Sequence, residues 1–246
     1  MKFSSASVLS CMAAMLFTLS ACTNNNEPST TTTDSTSTDK TTTTTATTTN
    51  TIVTTQQAML VIKHRVKDFA AWKMAYESHD SARLANGLHN YVIARGTEDS
   101  NMVMVAIKAD DMTKAKAFAK DPALKERMQK GGVLGTPEID LTTMVFQDTA
   151  KLTGTIRSMT RFSVKDWTAW EKSFKEGEQE RLDNGIAVRA YGHDADDNNK
   201  VRLVTALMDT AKAHAYWKSD MLKQRRAAGG VIGEPQRFTY YVVQRY

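Results

Sequence analysis

The chain has 246 residues, with 32 Lys and Arg against 27 Asp and Glu and a formal net charge of +5. The two signs are interspersed, so the clustered basic face that nucleic acid requires is missing, and no nucleic-acid partner is expected. Both cysteines, Cys11 and Cys22, stand near the start, which leaves the rest without a thiol for a disulfide, a nucleophile or a Cys-based metal site.

Residues 1–21 read as an export signal. Lys2 is a short basic start, and Val8 to Leu19 is an apolar run too short and too interrupted by Ser and Thr to span a membrane. It ends in Leu19-Ser20-Ala21-Cys22, which resembles the lipobox of bacterial lipoproteins. That resemblance implies cleavage before Cys22, lipid on its sulfur, and a membrane partner held through acyl chains in the cell envelope. Thr23 stands where lipoproteins kept in the inner membrane of enteric bacteria carry Asp, which favours the outer membrane. Residues 22–57 are dominated by Thr, Ser and Asn, cannot bury enough apolar surface to offset their ordering entropy, and read as a disordered tether.

The remainder is a domain written twice. Gly131-Gly132-Val133-Leu134-Gly135-Thr136-Pro137 returns as Gly229-Gly230-Val231-Ile232-Gly233-Glu234-Pro235, an offset of 98 from position 131 to position 229. The same offset carries Val66-Lys67-Asp68 onto Val164-Lys165-Asp166, Trp72 onto Trp170, Arg83-Leu84 onto Arg181-Leu182 and Asn86-Gly87 onto Asn184-Gly185. A period this long marks a duplicated domain rather than a solenoid. The copies are residues 58–148 and 155–246, joined by a connection short enough to make them touch.

In each copy a β-branched run (59–66, 156–164) predicts a strand, and Asp68 or Asp166 then stands at an N-cap position. Phe69, Trp72 and Tyr76, or Trp167, Trp170 and Phe174, follow at spacings of three and four, which puts the rings on one buried helical face. Asn-Gly closes each helix in the manner of a left-handed cap. Two strands come next (88–95 and 102–109; 186–191 and 200–208). Met102 to Ile107 is apolar at consecutive positions, as in a strand covered on both faces. A second helix starts at Asp111 or Asp209, restarts at Asp121-Pro122 or Ser219-Asp220, and ends at Gly-Gly. Gly-x-Pro is expected to turn the chain into a last strand, 139–146 or 237–246. The order is βαββαβ twice, an α+β protein of two ferredoxin-like repeats whose sheets cover each other.

V-x-D-x-x-x-W, then R-x-x-N-G, then a helix ending G-G-V-x-G-x-P resembles small bacterial proteins of the dimeric α+β barrel superfamily, the antibiotic biosynthesis monooxygenase type among them. The resemblance spans both copies and implies an intramolecular version of a barrel usually assembled from two chains. Its motifs are caps, turns and core rings, so it implies fold more than activity.

The residues that could hold a ligand are Trp72, Tyr76, His79, Arg83 and His64 in the first copy, with Trp170, Phe174 and Arg181 in the second. Arg83 and Arg181 could face an anionic or carbonyl-bearing ligand, or could satisfy free carbonyls in a last helical turn; the shared Asn-Gly ending favours the second role. His79 is matched by Gly177, which makes the two cavities unlike. His64 is matched by Phe162, which marks a buried position and favours a neutral ring with one nitrogen bonded. His214 precedes Tyr216-Trp217 in the half where haem enzymes of tandem ferredoxin-like layout carry their iron ligand, but its phase puts it at the edge of the stripe. The acidic stretch at 194–199 has neither the Gly nor the Glu of a calcium loop, and no metal or cofactor is expected. Three functions stay open: binding of a small, partly apolar molecule between sheet and helices, a cofactor-independent monooxygenase, and a structural or interaction domain without ligand.

Overall fold

The computed structural model of the protein describes residues 50–152 and 155–246; the export signal, Cys22 and the tether to residue 49 lie outside the described residues. A short strand β1 (Ile52–Val53) precedes the first repeat. That repeat runs β2 (Gln57–Val66), α1 (Phe69–Ser78), α2 (Asp80–Leu84), β3 (Leu88–Gly96), β4 (Met102–Ala109), α3 (Met112–Lys120), α4 (Pro122–Lys130) and β5 (Val133–Asp148). The second runs β6 (Ile156–Val164), α5 (Trp167–Glu176), α6 (Glu178–Asp183), β7 (Ile186–Asp194), β8 (Lys200–Leu207), α7 (Thr210–Lys218), α8 (Asp220–Ala228) and β9 (Val231–Arg245).

Local chemistry sets these boundaries. The carboxylates of Asp68 and Asp166 accept from the amides of Ala71 and Ala169, each at 2.7 Å, and so start α1 and α5. Asp121 caps α4 through the Ala123 amide at 2.8 Å, and Ser219 caps α8 through Leu222 at 3.2 Å. Gly87 and Gly185 take φ of 66° and 69° past the helices, a conformation open to glycine at little steric cost.

All strands pair antiparallel in the order β1-β5-β2-β4-β3-β9-β6-β8-β7, and β7 returns to β5. Strands β2 to β9 thus close a barrel, each repeat supplying four in the ferredoxin-like order. The two closing seams are copies of one another. Val92 pairs with Arg245 and Gly96 with Tyr240 on one, Ala190 with Gln147 and Asp194 with Thr142 on the other, and both shift register after the second pair. Every one of these positions maps onto its counterpart by the sequence offset.

The closed sheet has two apolar faces. Outward, the first repeat packs Leu60, Ile62, Val105 and Ile107 against Trp72 and Phe118 from the helices, and the second packs Val164 and Val201 against Trp170. Inward, Val92, Ala94, Met104, Met159 and Tyr240 meet across the lumen. One end of the lumen is closed by charge. Lys63 pairs with Glu138 at 2.9 Å, Arg161 with Asp140 at 3.0 Å and with Glu138, and Arg202 with Asp140 at 2.8 Å and Asp194 at 3.9 Å. Three cations face three anions there, and the set balances.

Two local expectations are corrected. The helix expected to run on to Asn-Gly is broken by His79 or Gly177 into α1–α2 and α5–α6. Glycine is a weak helix former, and His79 Nδ1 lies 2.7 Å from the Ala75 carbonyl, tying the side chain to the turn before it. Gly-x-Pro makes no turn. Strands β5 and β9 begin at Val133 and Val231 and run straight through it, taking up extra residues as a bulge opposite Lys63–Arg65 and Arg161–Ser163. Pro lacks an amide for the ladder and is tolerated where a bulge relaxes the pairing.

Candidate functional site

Each repeat holds a pocket between its helices and its sheet, built on matching positions. The pocket of the first repeat, about 60 Å³, is lined by His64, Trp72, Tyr76, His79 and Arg83 together with Ile62, Phe118, Arg127 and Met128. The pocket of the second, about 110 Å³, is lined by Trp170, Phe174 and Arg181 together with Tyr216, Trp217, Arg225, Arg226 and Arg237. The five candidate residues of the first copy therefore share one cavity, and the three of the second share the other.

In the first pocket Trp72 is buried, stacked on Tyr76 with ring centroids 5.2 Å apart, and 5.4 Å from His64. The Tyr76 hydroxyl donates to Asn90 Oδ1 at 2.6 Å, and Asn90 Nδ2 donates to Asp80 Oδ1 at 2.6 Å. Burial raises the Tyr76 phenol well above its usual range, against the opposing pull of Arg83. Arg83 is buried, lies 3.9 Å from the Tyr76 ring centroid, and pairs with Asp80 at 3.3 Å. It closes a network rather than bonding the free helix carbonyls that its position suggested. His64 also departs from expectation. It is 5% exposed and neither ring nitrogen has a partner, because apolar side chains surround it on the sheet face. Burial lowers its pKa from 6.5 to about 4, so the ring is neutral at physiological pH.

The second pocket keeps the stack and changes the charge. Trp170 stacks on Phe174 at 4.9 Å. Arg181 lies 3.8 Å from the Phe174 ring centroid and donates from Nη1 to the Phe174 carbonyl at 2.6 Å, the carbonyl-satisfying role expected of it. Burial lowers its pKa, and its Nε is buried without a partner. Glu180 accepts from Tyr216 at 2.6 Å and from Arg225 Nε at 2.8 Å. Burial pushes its carboxyl up, but these two hydrogen bonds and the Arg225 charge together hold it below the usual range. Arg237 lies 3.9 Å from the Trp217 ring centroid with a buried, unpartnered Nε. Burial and then the neighbouring Arg226 charge lower its pKa to about 10. Among the described residues no acid pairs with Arg226 or Arg237; Glu234 acts on Arg226 only at a distance.

Arg226 and Arg237 were not among the residues expected from the sequence. Their signal lay in the differences: the offset puts Arg226 on Met128 and Arg237 on Ile139. His214 is exposed against Trp217 at 5.0 Å and lines neither pocket.

No family model matches the sequence, and the comparison with curated proteins gives no match. Solved structures do match. A candidate monooxygenase from Fusobacterium nucleatum aligns over 76% of this chain and 93% of its own, with a TM-score of 0.51 and 14% identity. An anthrone oxidase-like protein aligns over 78% and 94%, with a TM-score of 0.52 and 14% identity. A candidate chlorite dismutase aligns over 77% and 96% at a TM-score of 0.47 and 14% identity, too loose to carry weight. At these identities the likeness is one of fold. The chain has the dimeric α+β barrel fold, with both halves of the barrel in one polypeptide.

Proposed function

We propose that this protein binds a small, partly apolar anion in the helix–sheet pocket of the second repeat, and displays that pocket from the envelope on a lipid attached to Cys22. The observation that carries the reading is the pair Arg226 and Arg237, half-buried cations without an acidic partner beside the rings of Trp170, Phe174 and Trp217. The fold does not require them, since the first repeat has Met128 on the matching pocket wall and an exposed Ile139 at the position of Arg237. A planar carboxylate or phenolate would pair with guanidinium and lay its ring on the aromatic stack. The cavity, about 110 Å³, approaches the ~150 Å³ that accommodates benzene, which sets the scale at one ring.

Thermal-shift titration with benzoate, salicylate and the neutral benzyl alcohol tests this. The two anions are expected to raise Tm in the parent protein and not in Arg237→Ile. Equal shifts from benzyl alcohol, or from Arg237→Ile, would overturn the ionic part of the reading. The anchor has its own check: labelled palmitate should be incorporated by the parent chain and lost in Cys22→Ser.

A cofactor-independent oxygenase is the second reading, favoured by His64. A neutral imidazole with both nitrogens unpartnered, facing Trp72 in an apolar pocket, could take a proton from an electron-rich phenol or enol. Oxygen uptake with such a substrate, abolished in His64→Phe, would support it; equal uptake in that variant would remove it.

A further inference from the structure

The barrel lumen carries a third cavity, of about 90 Å³, at the end opposite the balanced charge cluster. Its charge is lopsided. Arg157, Arg189 and Arg245 line it, and Asp148 is the single acid among its lining residues. That acid is already engaged: Oδ1 accepts from the Thr51 hydroxyl at 2.9 Å and the Ala150 amide at 3.0 Å, and Oδ2 accepts from Arg189. Arg189 uses its remaining reach on the Ala150 carbonyl.

Arg157 has no such relief. It is 3% exposed; Nη2 donates to the Leu152 carbonyl at 3.2 Å, while Nη1 is buried without a partner. Burial and then the Arg189 charge lower its pKa, the signature of a cation whose surroundings do not repay desolvation. The fold does not demand it, because the matching position on β2 is Met59, which lines the same cavity. Val61, Met144 and Met159 give the wall an apolar, adaptable stretch, beside the polar side chains of Gln147, Tyr91 and Tyr240. Arg245 lines the cavity and is itself exposed, so the space reaches solvent beside it.

We infer that the lumen is a second binding site, separate from the helix–sheet pockets, for a short-chain carboxylate. The carboxylate accepts from Arg157 Nη1 and its alkyl chain lies among Val61, Met144 and Met159. Arg245 stands at the entrance and attracts the anion. A volume below that needed for benzene limits the chain to a few carbons.

Calorimetric titration of the full-length protein with acetate, butyrate and hexanoate, in low-chloride buffer, tests this. Butyrate is expected to bind more tightly than acetate, and Arg157→Met to weaken butyrate roughly ten- to hundredfold, as loss of a hydrogen bond to a charged group does. Arg226→Met, in the helix–sheet pocket, is expected to keep the butyrate binding that Arg157→Met weakens, which separates this site from the one proposed above. No binding by the parent protein, or unchanged binding in Arg157→Met, overturns the inference. Equal affinity for acetate, butyrate and chloride marks a bare anion site and overturns the alkyl assignment. If Arg157→Met does not fold, Ala190→Leu decides: it keeps every charge and fills the lumen, so butyrate should be lost while acetate stays, and unchanged butyrate binding refutes the site.

Discussion

The two helix–sheet pockets share a scaffold to the residue and differ in what they do with charge. Trp72 and Trp170 are each 3% exposed, and both stack on the ring one turn later. Around that constant the first repeat ties Tyr76, Asn90, Asp80 and Arg83 into one network, while both His64 nitrogens and Arg83 Nε stay without a partner. The second leaves Arg226 and Arg237 without an acid and encloses nearly twice the space. In a barrel of two identical chains each residue must serve both sites. Joining the halves lifts that constraint, and here the two pockets differ in the charges that line them.

The strongest test of the shared scaffold is truncation of its ring. Trp72→Ala and Trp170→Ala should each cost about 3–5 kcal/mol in urea unfolding, and a gap between them above about 2 kcal/mol would show that the halves do not bear load alike. Next is a contrast specific to the first repeat. The folded pKa of His64, about 4, lies below its ordinary 6.5, so as pH falls the unfolded chain takes the proton first. Stability from this group is whole above about pH 6.5 and declines towards pH 4, by about 3 kcal/mol at 1.36 kcal/mol per pKa unit. His64→Phe, the residue of the second copy, should remove that slope when unfolding is measured at pH 7 and pH 4; an unchanged slope would show that other groups set it. Smaller, and equal on the two sides, is the loss of a cap: Asp68→Ala and Asp166→Ala should each cost about 1 kcal/mol. Smallest, and of opposite sign, is Arg226→Met, which relieves repulsion with Arg237 and should stabilise by about 0.5–1 kcal/mol while lowering affinity for benzoate. A loss of stability there would mean that the guanidinium is a structural brace.

What could be read from the chain follows the range of the interactions. Asp68, Asp166, the ring stripes and the Asn-Gly caps act within a turn or two of themselves, and the repeat made each of them visible twice. Closure of the barrel was implied by two sheets needing cover. Its seams join residues about 50 and 150 positions apart, and no local pattern states their register. Gly135-Thr136-Pro137 looked like a turn because its residues suit one; only the partner strand shows that the chain runs on. Burial of His64 was legible from Phe162, but the absence of a partner for its nitrogens depends on everything packed over it. Arg226 and Arg237 belong to no local motif, and only the packing of α8 and β9 brings both side chains to one pocket.

The return of β7 to β5 has a consequence for the protein's neighbours. An open sheet ends in a row of amides and carbonyls that will accept a strand from any chain nearby, and proteins blunt such margins with charge, proline or cover. Here the ring of eight strands has no margin to blunt, and β1 is laid along β5 beyond the end of β2. Held close to many copies of itself, such a molecule can meet them side by side without being drawn into a shared sheet.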